Sequence, residues 1–480
     1  MIDSLAAQTR GDKSEASGGG MPARSIAALV RAAQAAAGVP AYFPVRLAAL
    51  PEAAAWVSGG RLTPGAVAAA RNGSTMTIKR SPDPLFMYSE VGVPDRLPDG
   101  ATGVGARTEF VDMLPAAFVQ ACERQDGTTP PFHYYTSGIA QHAPGFAQEC
   151  PGWQRLVVDE EAAAERLATP THSSLWVGGH GSTTQAHYDV LHNVFVQVHG
   201  TKRFRLWGPD AHSALRVFPD AHPRARKAQV TIDADPDLPA PELDLVLEPG
   251  DAVFVPAFWF HHVEAQSLSV SVNVFSDSRL KQAAQDVLCQ PLPRALSAGA
   301  GAGARRRSHH SLLRTARQLC VLINTPVTAP RPFNHALVAA VSARYAPMPA
   351  GEAASPAVAA GPAHAFVGGD GAVGVADEET VSQTINSADV SDRQTRQACE
   401  TDTWVGVEDE ETRAVVKRVS AGLARVRAAA GECADSRHVR GLQEVVAGHL
   451  LESWAVHSVG AYDAGPLLDS TAAILSGQRS

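Results

Sequence analysis

Between Leu175 and Phe275 the chain runs in short stretches of β-branched and aromatic residues cut by turns: SLWVGGHGS, VFVQVHGTKRFRLW, LDLVLEPGDAVFVPAFWFHHV and SLSVSVNVF. Alternation over segments this short predicts strands, and HGTK and EPGD are tight-turn sequences. Many short strands joined by Gly and Pro turns predict a barrel or jelly roll. Upstream, residues 24–37 predict an Ala-rich helix, PVRLAALPEAAAW (45–57) a strand running into a helix, and TMTIKRS (75–81) a strand. RTEFVDMLPAAFVQACERQ (107–125) predicts a helix and PPFHYYTSGI (130–139) an aromatic strand. After Asp277 the period becomes helical, in LKQAAQDVLCQ (280–290), LLRTARQLCVLI (312–323), PFNHALVAAVSARYA (332–346) and over residues 410–457.

The fold class expected is mainly β with flanking helices, a jelly-roll core followed by a helical C-terminal region. Its segments are a disordered N-terminus (1–23), a helix and strand segment (24–170), the barrel core (171–285), a helical extension (286–349), a low-complexity linker (350–405) and a C-terminal helical segment (406–480).

Composition narrows the function classes. Of 480 residues, 45% are hydrophobic, enough for a sizeable core. A net charge of -8 gives no global reason to expect a nucleic-acid binder. The 6 cysteines show no C-x-x-C spacing, which reads as free thiols in a reducing compartment. No apolar run of about eighteen residues is present, so no membrane span is expected. The N-terminal TRGDKSEASGGG has no signal-peptide core. The stretch from Met21 is Arg-bearing and free of acids, as transit peptides are, but an ordinary first helix is the preferred reading. Cytoplasm or nucleus is therefore expected, with a mitochondrial address left open.

Candidate chemistry centres on STTQAHYDVLHN (182–193). His187 and Asp189 stand at i and i+2, so on a strand they share a face. A lone H-x-D is usually a solvated edge; a third ligand changes that reading, and VPAFWFHHV offers one in His261. Two histidines and a carboxylate on a barrel's inner face leave open positions for cosubstrate, substrate and oxygen, an arrangement suited to iron(II). In KRFRLW, Lys202 shares a face with Phe204 and Leu206, which buries an ammonium. Such a group is costly without an anionic partner, and a ligand carboxylate is the expected one. Arg203 and Arg205 then fall on the outer face.

These segments, GSTTQAHYD, HNVFVQVHGTKRF, LEPGDAVFVPAFWFHHV and SVSVNVF, resemble the Jumonji-C, cupin-like family of iron(II)- and 2-oxoglutarate-dependent oxygenases. Their order matches its small hydroxylase branch, which includes asparaginyl and wybutosine tRNA hydroxylases. The likeness covers residues 25–285 and is most specific over the last hundred of them. It implies a double-stranded β-helix with His187, Asp189 and His261 on iron(II). Lys202 and Thr184 would hold the distal carboxylate of 2-oxoglutarate. Asn193 and Asn273 would line the pocket, and Tyr134 or Tyr135 would complete it. His262 would point away from the metal, Trp259 would pack the barrel, and His192 and His199 would be structural. No catalytic residue beyond the metal ligands is implied.

The implied reaction consumes O2, decarboxylates 2-oxoglutarate to succinate and hydroxylates a C–H bond. A protein side chain is the first expected substrate and a tRNA base the second, with GARRRSHHS (303–309) a candidate phosphate contact. Demethylation of histone or protein is the third. The rival classes are a non-enzymatic cupin-fold scaffold and a cupin of other metal chemistry. The C-terminal helices are expected either to cap the barrel or to form a homodimer, with LLRTARQLCVLI and LQEVVAGHLL as candidate surfaces.

Overall fold

The computed structural model describes residues 24–47, 50, 57, 59–60, 62–86, 108–142, 156–157, 170–220, 222, 224–233, 235–290, 331–345, 410–431, 436–459 and 461–476. The expected helix over 312–323, the basic run 303–309, the linker 350–405 and most of the helical half of 45–57 lie outside these residues.

The strands are β1 (Arg24–Ser25), β2 (Val45–Leu47), β3 (Met76–Ser81), β4 (Glu109–Met113), β5 (Phe132–Gly138), β6 (Leu156–Val157) and β7 (Pro170–Gly178), followed by β8 (Thr183–Tyr188), β9 (His192–His199), β10 (Lys202–Trp207), β11 (Leu243–Leu247), β12 (Ala252–Val255), β13 (Phe260–Ala265) and β14 (Ser269–Ser276). Helices are α1 (Ala27–Ala37), α2 (Pro64–Ala69), α3 (Pro115–Glu123), α4 (Ile139–His142), α5 (His212–Leu215), α6 (Arg279–Leu288), α7 (Arg331–Ser342), α8 (Glu410–Ala430), α9 (Ser436–Val459) and α10 (Ala461–Ser476).

Two antiparallel sheets form a jelly roll. The larger has the order β2-β12-β9-β14-β7-β5-β3-β4 and the smaller β11-β10-β13-β8. The chain crosses between them at both turn sequences: HGTK joins β9 to β10, and EPGD joins β11 to β12. Gly200 in the first turn has φ 67, and a Cβ there would lie 2.0 Å from the carbonyl oxygen of Leu268. Only glycine fits such a turn.

Alternation sorts the larger sheet into two faces. Val194, Val196, Val270, Val272, Leu175 and Val177 pack outward on Ile26 and Val30 of the N-terminal segment and on Phe118 of α3. Asn193, Phe195, Asn273 and Trp176 fall on the opposite face, toward the smaller sheet. The helices owe their ends to local signals. Thr63 caps α2, accepting from the amide of Ala66 at 3.2 Å, with Pro64 at the first position. Ser278 caps α6 in the same way, through the amide of Lys281 at 3.1 Å.

The C-terminal helices complete one continuous core with the barrel. Val419 and Leu423 of α8, Leu442 and Leu450 of α9 and Leu467 of α10 join the cluster that holds Tyr188, Phe258 and Phe260. Residues 445–450 of LQEVVAGHLL turn Val445, Val446 and Leu450 into this shared core.

Two expectations need correction. Residues 107–125 are not one helix: Glu109–Met113 forms β4, pairing with β3, and the helix begins at Pro115. Proline disfavours helical geometry in the residue before it, and Leu114 is extended (ψ 139°). Arg205 is not an outer-face surface charge either. It is 6% exposed, ion-paired with Asp233 and bonded to His262. The loop after Val230 crosses that face of the small sheet and covers it. Its neighbour Arg203 does lie at the surface, paired with Asp244 at 2.6 Å.

Candidate metal centre

The three sequence-nominated ligands converge. His187 on β8, Asp189 just beyond it and His261 on β13 each bring one donor atom to within 4.8 Å of the others. The Asp189 carboxylate lies 3.6 Å from His261 Nε2 and 4.0 Å from His187 Nε2. The β8–β13 pairing explains this, since His187 stands directly opposite His261. Cross-strand partners share a face.

Both rings are oriented by backbone. His187 Nδ1 donates to the carbonyl of Gln185 at 2.9 Å, and His261 Nδ1 to that of Trp259 at 3.1 Å. Each ring then presents the lone pair of Nε2 to the shared point, the tautomer a metal requires. Burial, then the neighbouring His261, pushes His187 down to about 3, which keeps it neutral and able to ligate. Asp189 is held from behind: its carbonyl accepts the amide of Phe258 at 2.7 Å. Phe258 sits at φ 66 and stacks on Tyr188 with centroids 5.7 Å apart. The donor set, two imidazoles with Nε2 turned to the centre and a carboxylate with no hydrogen-bond donor on it among the described residues, fits a divalent metal such as iron(II).

Lys202 lies on the same inner face. In the β10–β13 ladder Leu206 opposes His261, Phe204 opposes Val263 and Lys202 opposes Ala265. The ammonium is 3% exposed, 5.2 Å from the Phe195 ring, and no carboxylate reaches it among the described residues. Burial pushes it down to about 7. A dicarboxylate would restore its charge, so an acidic cosubstrate fits this end of the cavity.

Thr184 would fall on the wrong face by simple alternation, three residues from His187. A β-bulge corrects it. His261 pairs with His187 but Val263 with Thr184, so β8 spends one extra residue opposite His262. Both side chains thereby face inward. Asn193 and Asn273 meet on the larger sheet, Asn273 Nδ2 donating to Asn193 Oδ1 at 3.0 Å. The two tyrosines separate. Tyr134 lies beside Trp176 and Phe86 on the inner side, centroids 6.1 and 5.3 Å away. Tyr135 turns to the outer core, its hydroxyl 3.0 Å from His142 Nδ1. His262 faces away from the three donors, toward Arg205 at 3.3 Å. Trp259 is fully buried and donates to the carbonyl of Tyr42 at 3.0 Å. His192 accepts the amide of Ala257 at 3.0 Å, and His199 is half-buried at the end of β9.

Residues 86–282 match the model of the cupin-like domain family. This stretch is a cupin-like domain. The relatives it aligns with include the tRNA wybutosine-synthesizing protein 5 of Danio rerio, 38% identical over 96 residues, covering 18% of this chain and 28% of that protein. The tRNA wybutosine-synthesizing protein 4 of Gibberella zeae is 30% identical over 162 residues, covering 33% of this chain and 14% of that protein. The lysine-specific demethylase JMJ31 of Arabidopsis thaliana is 31% identical over 113 residues, covering 22% and 21%. The chain thus spans less than a third of each of these curated relatives.

Several residues of the cupin-like domain site escaped sequence reasoning. Trp176 donates its indole N–H to Asn273 Oδ1 at 2.8 Å, fixing which way that amide faces. Lys227 forms a β-bridge with His187 along the open edge of β8. Its segment, RARKAQV, carries no strand-like alternation. Tyr188, between His187 and Asp189, is hydrogen-bonded to His449 of α9. One signal for His449 was present: it stands with Glu452 on a helix face otherwise made of Val445, Val446 and Leu450.

Proposed function

We propose that this chain is an iron(II)- and 2-oxoglutarate-dependent oxygenase that hydroxylates a C–H bond of a protein side chain. The observation that carries the reading is the shared face of the small sheet. Two imidazoles and a carboxylate aim at one point there, and a buried ammonium with no counter-ion among the described residues lies further along the same face. A scaffold has no use for that ammonium, which costs stability unless an anion enters.

His187, Asp189 and His261 would hold the metal. When bound, iron(II) with 2-oxoglutarate supplies oxygen activation coupled to decarboxylation, giving succinate and carbon dioxide. The chain's own contribution is placement. Lys202 and Thr184 would bind the distal carboxylate from the inner face, and Asn193, Asn273 and Tyr134 would line the walls. With Nδ1 of each ring held by a backbone carbonyl, Nε2 of His187 and His261 faces the centre. Phe195, Phe204 and Trp176 exclude water and so strengthen the Lys202 contact.

A second reading, a tRNA base as substrate, draws on the wybutosine-synthesizing relatives. Protein is preferred because a net charge of -8 opposes a phosphate backbone. A third, demethylation, draws on the demethylase relative.

The test is purified chain with iron(II) and 2-oxoglutarate, with succinate quantified. Turnover that needs both supports the oxygenase; no turnover together with no 2-oxoglutarate binding would refute it. Mass spectrometry of peptides and tRNA from cells lacking the gene then identifies the substrate by the missing mass of one oxygen atom.

A further inference from the structure

Strand β8 and the residue after it carry two of the three candidate ligands, His187 and Asp189, and the sheet ladder alone does not fix their position. The strand ends the ladder of the smaller sheet, pairing along its length with β13, while its other edge is met by isolated bridges from Leu85 to Thr183 and from Lys227 to His187. A bulge interrupts that pairing between Thr184 and His187. Asp189 lies past the last ladder residue, Tyr188. Ladder hydrogen bonds alone therefore do not set where the carboxylate sits.

Tyr188 supplies what the ladder lacks. Its neighbours His187 and Asp189 face inward, so its own side chain faces outward, where it is 1% exposed. There the phenol meets His449 Nε2, 261 residues away in sequence. The other ring nitrogen of His449, Nδ1, lies 2.6 Å from the Asp220 carboxylate. A carboxylate only accepts, so Nδ1 carries the proton and Nε2 accepts from the tyrosine O–H. Asp220 is anchored in turn: its amide donates to Glu452 Oε1 at 2.7 Å. Glu452, fully buried, also takes Arg344 at 2.6 Å and Tyr345 at 2.8 Å. The chain of bonds runs from the ligand strand into three separate elements: α9, the turn after α7 and the loop around Asp220. Tyr188 also stacks on Phe258, whose amide holds the Asp189 carbonyl.

We propose that His449 is a positioning residue for the metal ligands, acting through the hydroxyl of Tyr188, so that the C-terminal helical layer sets the geometry of the metal centre. The proposal rests on the metal reading above. Ligand placement to within about 0.5 Å governs such sites, and supporting hydrogen bonds are worth roughly 10–100-fold in metal affinity.

The experiment is cobalt(II) titration of the full chain, read by dissociation constant and by the ligand-field absorption band, with thermal unfolding measured in parallel. Tyr188→Phe deletes only the hydroxyl, His449→Ala removes the partner, and Leu467→Ala damages the helical layer elsewhere. Tyr188→Phe and His449→Ala are expected to weaken cobalt binding by roughly tenfold and to shift the band. Leu467→Ala is expected to lower the melting temperature with wild-type affinity and band. If His449→Ala does not fold, Tyr188→Phe decides alone. Wild-type affinity and band in Tyr188→Phe overturn the brace and leave the metal reading standing. Equal weakening by Leu467→Ala also overturns it, because general destabilisation would then explain the loss. A wild-type chain that takes up no cobalt overturns the metal reading and the brace together.

Discussion

Three clusters among the described residues contain the same kinds of residue, and they differ in which lone pairs are left without a donor. His187, Asp189 and His261 spend both Nδ1 protons on backbone carbonyls and leave Nε2 and the carboxylate unspent. Asp210, Glu242 and His438 are equally close together. There, however, His438 Nε2 is 2.9 Å from both oxygens of Glu242, and Arg437 pairs with Glu242 at 2.8 Å and with Asp210 at 3.4 Å. In the third cluster, Asp220, His449 and Glu452, the carboxylates are taken up by His449, Arg344 and Tyr345. Proximity of histidine and carboxylate is thus not enough. A ligand set is defined by lone pairs that the protein has left without a donor, and an ion-pair network by lone pairs already engaged.

The strongest way to break this comparison is substitution at the carboxylates. Asp189→Ala should abolish iron(II) uptake and succinate formation, whereas Asp210→Ala should retain both; calorimetric metal titration and a succinate assay check this, and the opposite pattern would reverse the assignment. Glu452→Gln should behave as a folding lesion. It leaves Arg344 buried without its counter-charge and should cost about 3–5 kcal/mol in denaturant unfolding.

Lys202→Met sharpens the picture at the far end of the cavity. It should weaken 2-oxoglutarate binding by roughly 10²–10³-fold while metal affinity holds, since a buried charge contact is lost. The same variant carries a pH signature. Burial lowers Lys202 from 10.5 to about 7 in the folded chain, so between those values the unfolded state binds more protons. Stability of the cosubstrate-free protein should therefore rise as pH increases through that window. Lys202→Met should be the more stable protein at neutral pH and should lose that part of the slope. Thermal melts across the window check both.

The smallest effects separate the tyrosines. Tyr134→Phe should raise the KM for 2-oxoglutarate by up to about tenfold, one hydrogen bond's worth. Tyr135→Phe should leave KM unchanged and cost about 1 kcal/mol of stability through its lost bond to His142.

The shared inward placement of His187, Asp189, His261 and Lys202 was legible because strand alternation and a turn are local properties. Thr184 was legible only by resemblance, since alternation puts it on the wrong face and a bulge restores it. Residues 107–125 misled because EFVDM suits helix and strand alike, and only pairing with β3 chose. Arg205 misled because nothing in KRFRLW announces the loop that covers it.

The sequence by itself determined the strand-rich core, the crossover turns and which side chains share the inner face, because these follow from a period of two and from glycine where a Cβ cannot fit. Tertiary structure decided which histidine–carboxylate cluster keeps its lone pairs, which tyrosine faces inward, and that a helix over two hundred residues downstream bonds to Tyr188. Those outcomes depend on the second partner of each polar atom, and that partner comes from a distant segment brought near only by packing.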